Sequence, residues 1–283
     1  MSIHQILRKV VLAIRPLFLK IIPQTALYDY SPYLGYADSY CLPNHPDDFD
    51  GYGPQGLPVP PEWLRFGYRT SERYLQSGQQ DMTAMLNVCP MGDAQRILDF
   101  GCGSGRMIRW LQDYAKESEI WGTDINADFV MWCQQHLSPP FHFALTTMLP
   151  HLPFEDRYFD YIYAGSVFTH LDDLAAAWML ELRRILTTGG RMYITIHDEN
   201  TLELLSNEYS DHPAALNFRK QEHFDTYTQC DFGMFSLGRR TSSQVFYKSE
   251  YFKKWVTSLN MNIISITPGM YRYQTGVVLQ RST

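Results

Sequence analysis

The sequence predicts an α/β fold with a mostly parallel sheet and helices on both of its faces. Three patterns indicate this fold. An apolar run over residues 97–100 ends at a glycine-rich loop, and a second run over residues 119–124 ends in an acid. A helical pattern over residues 172–186, ended by Gly189-Gly190, leads into an apolar run over residues 191–197. Strands joined by a helix form a βαβ unit, in which neighbouring strands lie parallel.

The first 24 residues are predicted to form a separate amphipathic helix. Apolar residues recur there at helical spacing, beside four basic residues and no acid. Basic groups are attracted to anionic lipid by about 1 kcal/mol each near the surface. An apolar stripe of this kind also packs against a neighbouring domain or a second subunit. Residues 1–24 are therefore a candidate contact for a membrane surface or for a subunit.

Residues 25–90 are predicted to form a loop rich in aromatic residues and proline, followed by lid helices. Helical periodicity is absent before Pro61 and returns over residues 63–87. In this second part, Tyr68 can place its ring or hydroxyl near a cationic ligand, and Arg69 can pair with a carboxylate. A solvated surface charge is the alternative role of Arg69.

Residues 91–283 are predicted to form the main domain, which begins with the strand and glycine loop of residues 97–106. Gly101, Gly103 and Gly105 lack a Cβ, so they can adopt positive φ and let backbone amides approach a ligand. An amphipathic helix is expected after the loop. A dinucleotide fingerprint needs a small residue where Arg106 stands, and the Asp99 carboxylate repels phosphate. The loop therefore favours a cationic cofactor without phosphate over a nicotinamide dinucleotide.

Asp124 ends the next predicted strand, over residues 119–124. A carboxylate at this point can accept hydrogen bonds from both hydroxyls of a ribose. Such bonds contribute about 1.5–3 kcal/mol each when they are sheltered from water. Helix capping is the alternative role of this acid. Asp99 and Asp124, on either side of the glycine loop, together indicate a cofactor that contains a nucleoside and a cation.

This order of motifs resembles the class I S-adenosylmethionine-dependent methyltransferases that act on small molecules. The resemblance extends through the polar turn and strand over residues 152–164 to the strand over residues 191–197. It implies a Rossmann-like, seven-stranded sheet, with S-adenosylmethionine as the cofactor and S-adenosylhomocysteine as its product. It also implies an acceptor-side insertion after the fifth strand, at about residues 199–245. Aromatic residues in this insertion, at 223–227 and 232–235, suit an apolar or ring-bearing acceptor or, alternatively, a small satellite core.

The resemblance also implies a set of cofactor contacts. With Tyr68 and Arg69 of the lid, they are Asp99, Gly101, Cys102, Gly103, Gly105, Asp124, Ile125, Thr147, Met148 and Ala164. Members of this group usually have an acid that accepts a hydrogen bond from the adenine amino group, where this chain has Thr146 or Thr147. A hydroxyl or a backbone carbonyl can still accept that bond. A buried core position is the alternative for Met148.

Three residues near the ends of the fourth and fifth strands are candidates for removing a proton from an acceptor hydroxyl. They are His170, His197 and Asp198. Ligands of open α/β sheets lie in the crevice at the carboxyl ends of the strands, which is where these residues are expected. Asp198 either orients His197 or acts as the base itself. The structural alternative for the histidines is helix capping or a bond to a backbone carbonyl.

Composition and charge exclude several classes of function. The net charge of −6 over 283 residues disfavours a nucleic-acid substrate, because phosphates demand a basic surface. The five cysteines lack CxxC spacing, which favours a reducing cytoplasm and no zinc site. Polar residues 197–200 alternate faces in an extended segment, so no metal site is predicted there either.

The sequence therefore predicts a cytoplasmic enzyme that methylates oxygen on a small molecule, such as a sugar or a polyketide or peptide natural product of secondary metabolism. Methylation of nitrogen or of a carboxylate is the alternative among enzymes, and a carboxylate acceptor needs no base. A protein of another class, a pseudoenzyme that binds the cofactor and serves a partner through residues 1–24, is the further alternative.

Overall fold

The computed structural model describes residues 48–220, 233–238 and 243–282. The predicted helix over residues 1–24 lies outside the described residues, as do the first part of the aromatic loop, the acceptor-side segment 223–227 and Phe232. In the part of the chain that is described, no helix combines the length and the apolar character needed to cross a lipid bilayer.

A central sheet and a small second sheet organise the described residues. The strands are β1 (Arg96–Phe100), β2 (Glu119–Asp124), β3 (His142–Leu145), β4 (Phe159–Ala164), β5 (Leu186–Ile196), β6 (Met234–Leu237), β7 (Gln244–Tyr247), β8 (Met261–Tyr271) and β9 (Gln274–Arg281). Within the described ranges the central sheet has seven strands in the order β3-β2-β1-β4-β5-β9-β8, and β6 pairs with β7. Strands β1 to β5 are parallel, whereas β9 runs antiparallel to β5 and β8. The predicted mostly parallel, seven-stranded sheet is confirmed.

Helices cover both faces of this sheet. They are α1 (Ser71–Val88), α2 (Ala127–His136), α3 (Ala175–Ile185), α4 (Glu199–Ser206), α5 (Pro213–Arg219) and α6 (Ser249–Ser258). Successive residues of a strand face opposite sides of a sheet. Accordingly, Ile97 of β1 lies in one apolar core with residues of α1 and α2, and Leu98 lies in another with residues of α3 and α6.

The segment after the glycine loop differs from its prediction. Instead of an amphipathic α-helix, it forms two short 3₁₀ turns, Ile108–Leu111 and Tyr114–Lys116. The Trp110 N–H bonds the Met107 carbonyl, three residues back. The Arg109 side chain is fully buried and donates to the Pro58 carbonyl, so tertiary contacts hold this turn inward.

The junction between α3 and β5 also differs from its prediction. Gly189-Gly190 lies within β5 and does not end the helix. Leu186 already pairs with Phe159, and the next pair on the ladder joins Arg191 to Tyr161, so the residues between them bulge out. Gly189 adopts a φ of +77° in this bulge, which glycine permits.

The predicted insertion between β5 and α6 contains α4, α5, β6 and β7 in its described part. It has a small core of its own, in which Phe218, Phe235 and Phe246 pack together. The rings of Phe235 and Phe246 stack with their centroids 4.9 Å apart. Phe235 thus belongs to a small satellite core, which was the alternative to its role in an acceptor pocket.

Candidate active site

The glycine loop after β1 lies at the carboxyl edge of the sheet and is joined to the end of β2. Gly101 and Cys102 both donate their N–H groups to the Thr123 carbonyl, at 2.7 and 3.0 Å. The φ angles of Gly101, Gly103 and Gly105 are +82°, +53° and +81°. Residues with a Cβ rarely adopt this left-handed conformation. The positive φ angles predicted for the three glycines are confirmed.

Asp124 connects the glycine loop to the segment before α2 through its carboxylate. Its Oδ2 accepts the Gly103 N–H and its Oδ1 accepts the Asn126 N–H, each at 2.8 Å. The Ile125 N–H also bonds this carboxylate. A carboxylate can accept about four hydrogen bonds, so at least one lone pair remains for a ligand. The cap of α2 is Asn126, whose side chain accepts the Asp128 N–H. Burial raises the pKa of Asp124, and the backbone N–H groups partly oppose that rise.

Asp99 is the penultimate residue of β1 and has a buried carboxyl group. Its Oδ2 has no hydrogen-bond partner among the described residues. Burial raises the pKa of Asp99 to about 8, although the Tyr163 hydroxyl and the Arg106 guanidinium act in the opposite direction. A cationic ligand would favour the ionised form of such a group. The amino-acid end of S-adenosylmethionine carries an ammonium group, so Asp99 fits the cofactor implied by the sequence.

A cavity of about 650 Å³ opens along this edge of the sheet. The predicted site residues that line it are Tyr68, Asp99, Gly101, Cys102, Gly103, Asp124, Ile125, Met148 and His170. Four predicted cofactor contacts do not line it, namely Arg69, Gly105, Thr147 and Ala164. Gly105 is close to Leu137, behind the loop, so it shapes the site from outside the cavity.

Thr146 takes the position that the prediction gave to Thr147. Thr146 lines the cavity, and its buried Oγ1 has no hydrogen-bond partner among the described residues. The Thr147 hydroxyl instead accepts the Leu149 N–H, in an exposed turn. Of the two threonines that the sequence left open, Thr146 is therefore the one that lines the cavity.

The structure does not bring Arg69 to the cavity. Its side chain is exposed, which matches the alternative of a solvated charge. Among the described residues, the guanidinium groups that line the cavity belong to Arg106 and Arg272. Arg272 lies in the turn between β8 and β9, and sequence reasoning missed it because no motif marks this turn.

His170 follows β4 and lines the cavity. Its Nδ1 lies 2.7 Å from the Ser243 carbonyl oxygen. Gln244 Nε2 lies 3.1 Å from the same Nδ1. A carbonyl oxygen only accepts hydrogen bonds, so the shorter contact favours a proton on Nδ1; the Gln244 amide then does not donate to this nitrogen, and Nε2 of the neutral ring keeps its lone pair. Burial lowers the pKa of His170 below its usual value, which keeps the ring predominantly neutral at pH 7. A neutral imidazole in this position is suited to accept a proton.

His197 does not line the cavity, contrary to its prediction as a base. It is 1% exposed, and its ring packs against Phe218, Phe246 and Tyr273 with centroid distances of 4.9 to 5.8 Å. Burial lowers the pKa of His197 to about 3, because the apolar surroundings disfavour the charged ring. His197 also pairs with Phe246 of β7 in a single β-bridge, so the small second sheet covers it.

Asp198 does not line the cavity either, and it has a structural role. It is the N-cap of α4 and accepts the Thr201 N–H at 3.1 Å. The same carboxylate accepts the Thr275 hydroxyl of β9 at 2.8 Å. Asp198 therefore joins α4 to the sheet. Among the described residues, no group of three or more His, Cys, Asp and Glu side chains is arranged to hold a metal ion.

A second cavity, of about 390 Å³, adjoins the first on the side of the insertion. Ser166, His170, Tyr273 and Gln274 line both cavities. The other residues that line the second cavity are Ala214, Asn217, Phe218, Leu237 and Gln244. None of these described lining residues is Asp, Glu, Lys or Arg.

A hydrogen-bond network fixes the side chains where the two cavities meet. The Thr195 hydroxyl donates to Gln274 Oε1 at 2.6 Å and accepts the Ser166 N–H at 2.7 Å. Gln274 Nε2 donates to Ser166 Oγ at 2.9 Å. Ser166 has a φ of +58°, a conformation that costs a non-glycine residue about 1–3 kcal/mol. The network offsets this strain and holds Gln274 in one orientation.

Comparison with known proteins identifies the domain that carries this site. Residues 98–194 match the family model of the methyltransferase domain. The chain contains a class I S-adenosylmethionine-dependent methyltransferase domain. The match runs from β1 into β5, so it includes the glycine loop, Asp124 and His170. S-adenosylmethionine is the cofactor of this class, as the sequence motifs predicted.

The curated relatives match only part of the chain. An uncharacterised methyltransferase of Schizosaccharomyces pombe is 30% identical over 105 residues, which are 34% of this chain and 37% of that protein. The malonyl-(acyl-carrier protein) O-methyltransferase of Hahella chejuensis is 24% identical over 109 residues, which are 38% of this chain and 39% of that protein. The chain thus spans less than two fifths of the length of these relatives.

A solved structure shows the same fold over a longer stretch. It is the 1,6-didemethyltoxoflavin-N1-methyltransferase of Burkholderia thailandensis, with bound 1,6-didemethyltoxoflavin and S-adenosylhomocysteine. The TM-score is 0.52 at 10% identity, and the alignment covers 78% of this chain and 85% of that chain. At this identity the likeness establishes the fold and leaves the acceptor open.

Proposed function

We propose that this protein transfers a methyl group from S-adenosylmethionine to an oxygen atom of a small, uncharged molecule. The observation that carries the proposal is the position of His170. This neutral imidazole lies where the cavity with the buried acids meets the second cavity, which has no Asp, Glu, Lys or Arg among its described lining residues. When it is bound, the cofactor supplies an electrophilic methyl group on a sulfonium.

The first cavity holds the residues that suit the cofactor. Asp99 is proposed to pair with the ammonium group, because its buried carboxyl group has an oxygen without a partner among the described residues. Asp124 is proposed to bind the ribose with the acceptor capacity that its backbone contacts leave free. Thr146 and Met148, which line the same cavity, are proposed to contact the adenine.

The second cavity suits an uncharged acceptor. A charged group buried there would lose its hydration without meeting an opposite charge on the described lining. The amides of Asn217, Gln244 and Gln274 offer hydrogen bonds, and Phe218 and Leu237 offer apolar contact. Sugars and polyketide or peptide natural products combine hydroxyl groups with uncharged, partly apolar surfaces, which suits such a lining.

Gln274 favours oxygen over nitrogen as the acceptor atom. One N–H of its amide donates to Ser166, which leaves the second N–H for a ligand. A hydroxyl oxygen has two lone pairs, so it can accept this bond while its other lone pair attacks the methyl group. A neutral amine has a single lone pair and must give up such a bond to react. His170 Nε2 is proposed to remove the hydroxyl proton as the reaction proceeds.

The test is to identify the bond that forms. The protein is incubated with S-adenosylmethionine carrying a deuterated methyl group and with matched hydroxyl, amine and carboxylate forms of the same sugars and phenols. We expect labelled methyl ethers, which survive alkaline hydrolysis, whereas methyl esters release methanol. Labelled amines or esters as the main products would contradict the proposal. Binding of S-adenosylmethionine without transfer to any of these acceptors would also contradict it, and would favour the cofactor-binding pseudoenzyme.

A further inference from the structure

Two guanidinium groups at one end of the first cavity differ in their partners. Arg106 and Arg272 both line the cavity. Arg106 donates to the Asp81 carboxylate at 2.6 Å, so its charge is compensated within the protein. Arg272 forms hydrogen bonds to neutral hydroxyl groups, and no carboxylate of the described residues lies within ion-pair distance of it. One positive charge at this end of the cavity is therefore left for a ligand.

Arg272 is held in place by contacts across the cavity. One guanidinium nitrogen donates to the Tyr68 hydroxyl at 2.8 Å and to Ser77 Oγ of α1 at 3.3 Å. The guanidinium also lies over the Tyr68 ring, 5.4 Å from its centroid. Arg272 itself has a φ of +62° in the tight turn between β8 and β9. The turn and the lid therefore fix the position of this guanidinium before any ligand arrives.

The same end of the cavity holds the buried acid Asp99. The Arg106 guanidinium is close enough to Asp99 to lower the pKa of its carboxyl group, and Arg272 is close enough to Asp81 to do the same there. Asp81 is the partner of Arg106, so these four residues form one charged cluster. A ligand that carries an ammonium group and a carboxylate side by side would complement an unpaired acid and an unpaired guanidinium in this cluster.

We propose that Arg272 binds the carboxylate of the methionine part of S-adenosylmethionine. This inference rests on the proposed function only through its cofactor, and it is independent of the acceptor. A guanidinium can bind a carboxylate through two parallel hydrogen bonds. The β8–β9 turn, and not the lid residue Arg69, then supplies the cation that the amino-acid end of the cofactor requires.

The test compares two ligands that differ only in the carboxylate. Calorimetric titration measures the affinity of the full chain for S-adenosylmethionine and for decarboxylated S-adenosylmethionine. In Arg272→Gln we expect the affinity for S-adenosylmethionine to fall by about 10- to 100-fold, the range of a charge-assisted hydrogen bond to a charged group. The affinity for the decarboxylated ligand should change by less than about threefold. Arg272→Lys should recover part of the loss, since lysine keeps the positive charge but lacks the paired N–H donors of a guanidinium.

Arg69→Gln is the matched control, because it removes a guanidinium that follows Tyr68 in the chain and lies outside the cavity lining. It should leave both affinities unchanged. Equal losses for the two ligands in Arg272→Gln, or no loss for either, would overturn the inference, as would a selective loss in Arg69→Gln. The thermal midpoint of each variant shows whether it is folded. If the wild-type protein binds neither ligand, the proposed function itself fails; if it binds both and only the variant pattern is wrong, this inference alone fails.

Discussion

The two cavities of this protein differ in how the chain builds them. The side chains of the first cavity come largely from loops that directly follow β1, β2, β3 and β4, and they include the buried acid Asp99. The second cavity takes residues from the β4 loop, α5, β6, β7 and the β8–β9 turn, and none of these is Asp, Glu, Lys or Arg. Strand ends of a parallel sheet bring short local motifs to one edge, whereas the second cavity depends on segments that meet only after folding.

This difference in lining residues indicates that the two cavities bind different ligands. In the first cavity, the buried carboxyl group of Asp99 is proposed to pair with a cationic group of the ligand, and that of Asp124 with its hydroxyls. An uncharged lining favours a neutral ligand in the second. His170 lines both cavities, which is the position that the proposed base requires. Variants on each side should therefore separate cofactor binding from catalysis.

The largest expected effect concerns His170. His170→Asn removes the proposed base and should lower kcat by about 10²–10⁴-fold, the usual contribution of a positioned base, while S-adenosylmethionine affinity stays within threefold. His197→Phe is the matched control, because it keeps an aromatic ring in the covered position, and its kcat should stay near that of the wild type. Steady-state kinetics with the best hydroxyl acceptor measure both. A large loss in His197→Phe and none in His170→Asn would reverse the assignment.

The next effect concerns Asp124. Asp124→Asn keeps the size of the side chain but replaces one acceptor oxygen by an N–H donor and removes the charge. The affinity for S-adenosylhomocysteine should fall by about 30- to 100-fold, corresponding to about 2–3 kcal/mol. Asp128→Asn, in the first turn of α2 and outside the cavity lining, should bind as the wild type does. Calorimetry gives both values, and equal behaviour of the two variants would refute the ribose contact.

Cofactor binding should depend on pH through Asp99. Its pKa of about 8 means that the carboxyl group is mostly protonated at pH 6, and it must lose that proton to pair with the ammonium group. Affinity for S-adenosylmethionine should therefore fall by up to about 20-fold between pH 7.5 and pH 6, with proton release on binding. Asp99→Asn should bind weakly at both pH values and flatten the profile. A wild-type affinity that is constant or rises towards pH 6 would show that Asp99 does not pair with the ammonium group.

The smallest effect on catalysis is expected at Asp198. Asp198→Ala removes the N-cap of α4 and leaves the Thr275 hydroxyl without its acceptor, so the free energy of unfolding should fall by about 1–3 kcal/mol. Asp198→Asn retains a capping oxygen and should lose less. Chemical denaturation measures both variants, and kcat should be unchanged in either while it is folded. A folded Asp198→Asn protein with a strongly reduced kcat would show that Asp198 takes part in the reaction.

The fold and the first cavity follow largely from local sequence. Glycine at positions 101, 103 and 105 and the acid at each strand end predicted a loop with positive φ angles at the sheet edge, and the structure has that loop. Such features depend on the conformational range of a few neighbouring residues, which the sequence shows directly. The 3₁₀ turns after Gly105 were not predictable in this way, because the buried side chain of Arg109 contacts Pro58, far back along the chain.

The tertiary structure alone decided which residues reach the cavities. The sequence placed His197 at the end of the fifth strand and His170 after the fourth, and it favoured His197 as the base. The β-bridge to Phe246 nevertheless covers His197 and leaves His170 in both linings. The sequence likewise favoured Arg69, whereas the β8–β9 turn brings Arg272 across to Tyr68. Local patterns fix backbone conformation and strand ends, because they depend on neighbouring residues. The exposure and partners of a side chain depend on long-range packing, which no local pattern contains.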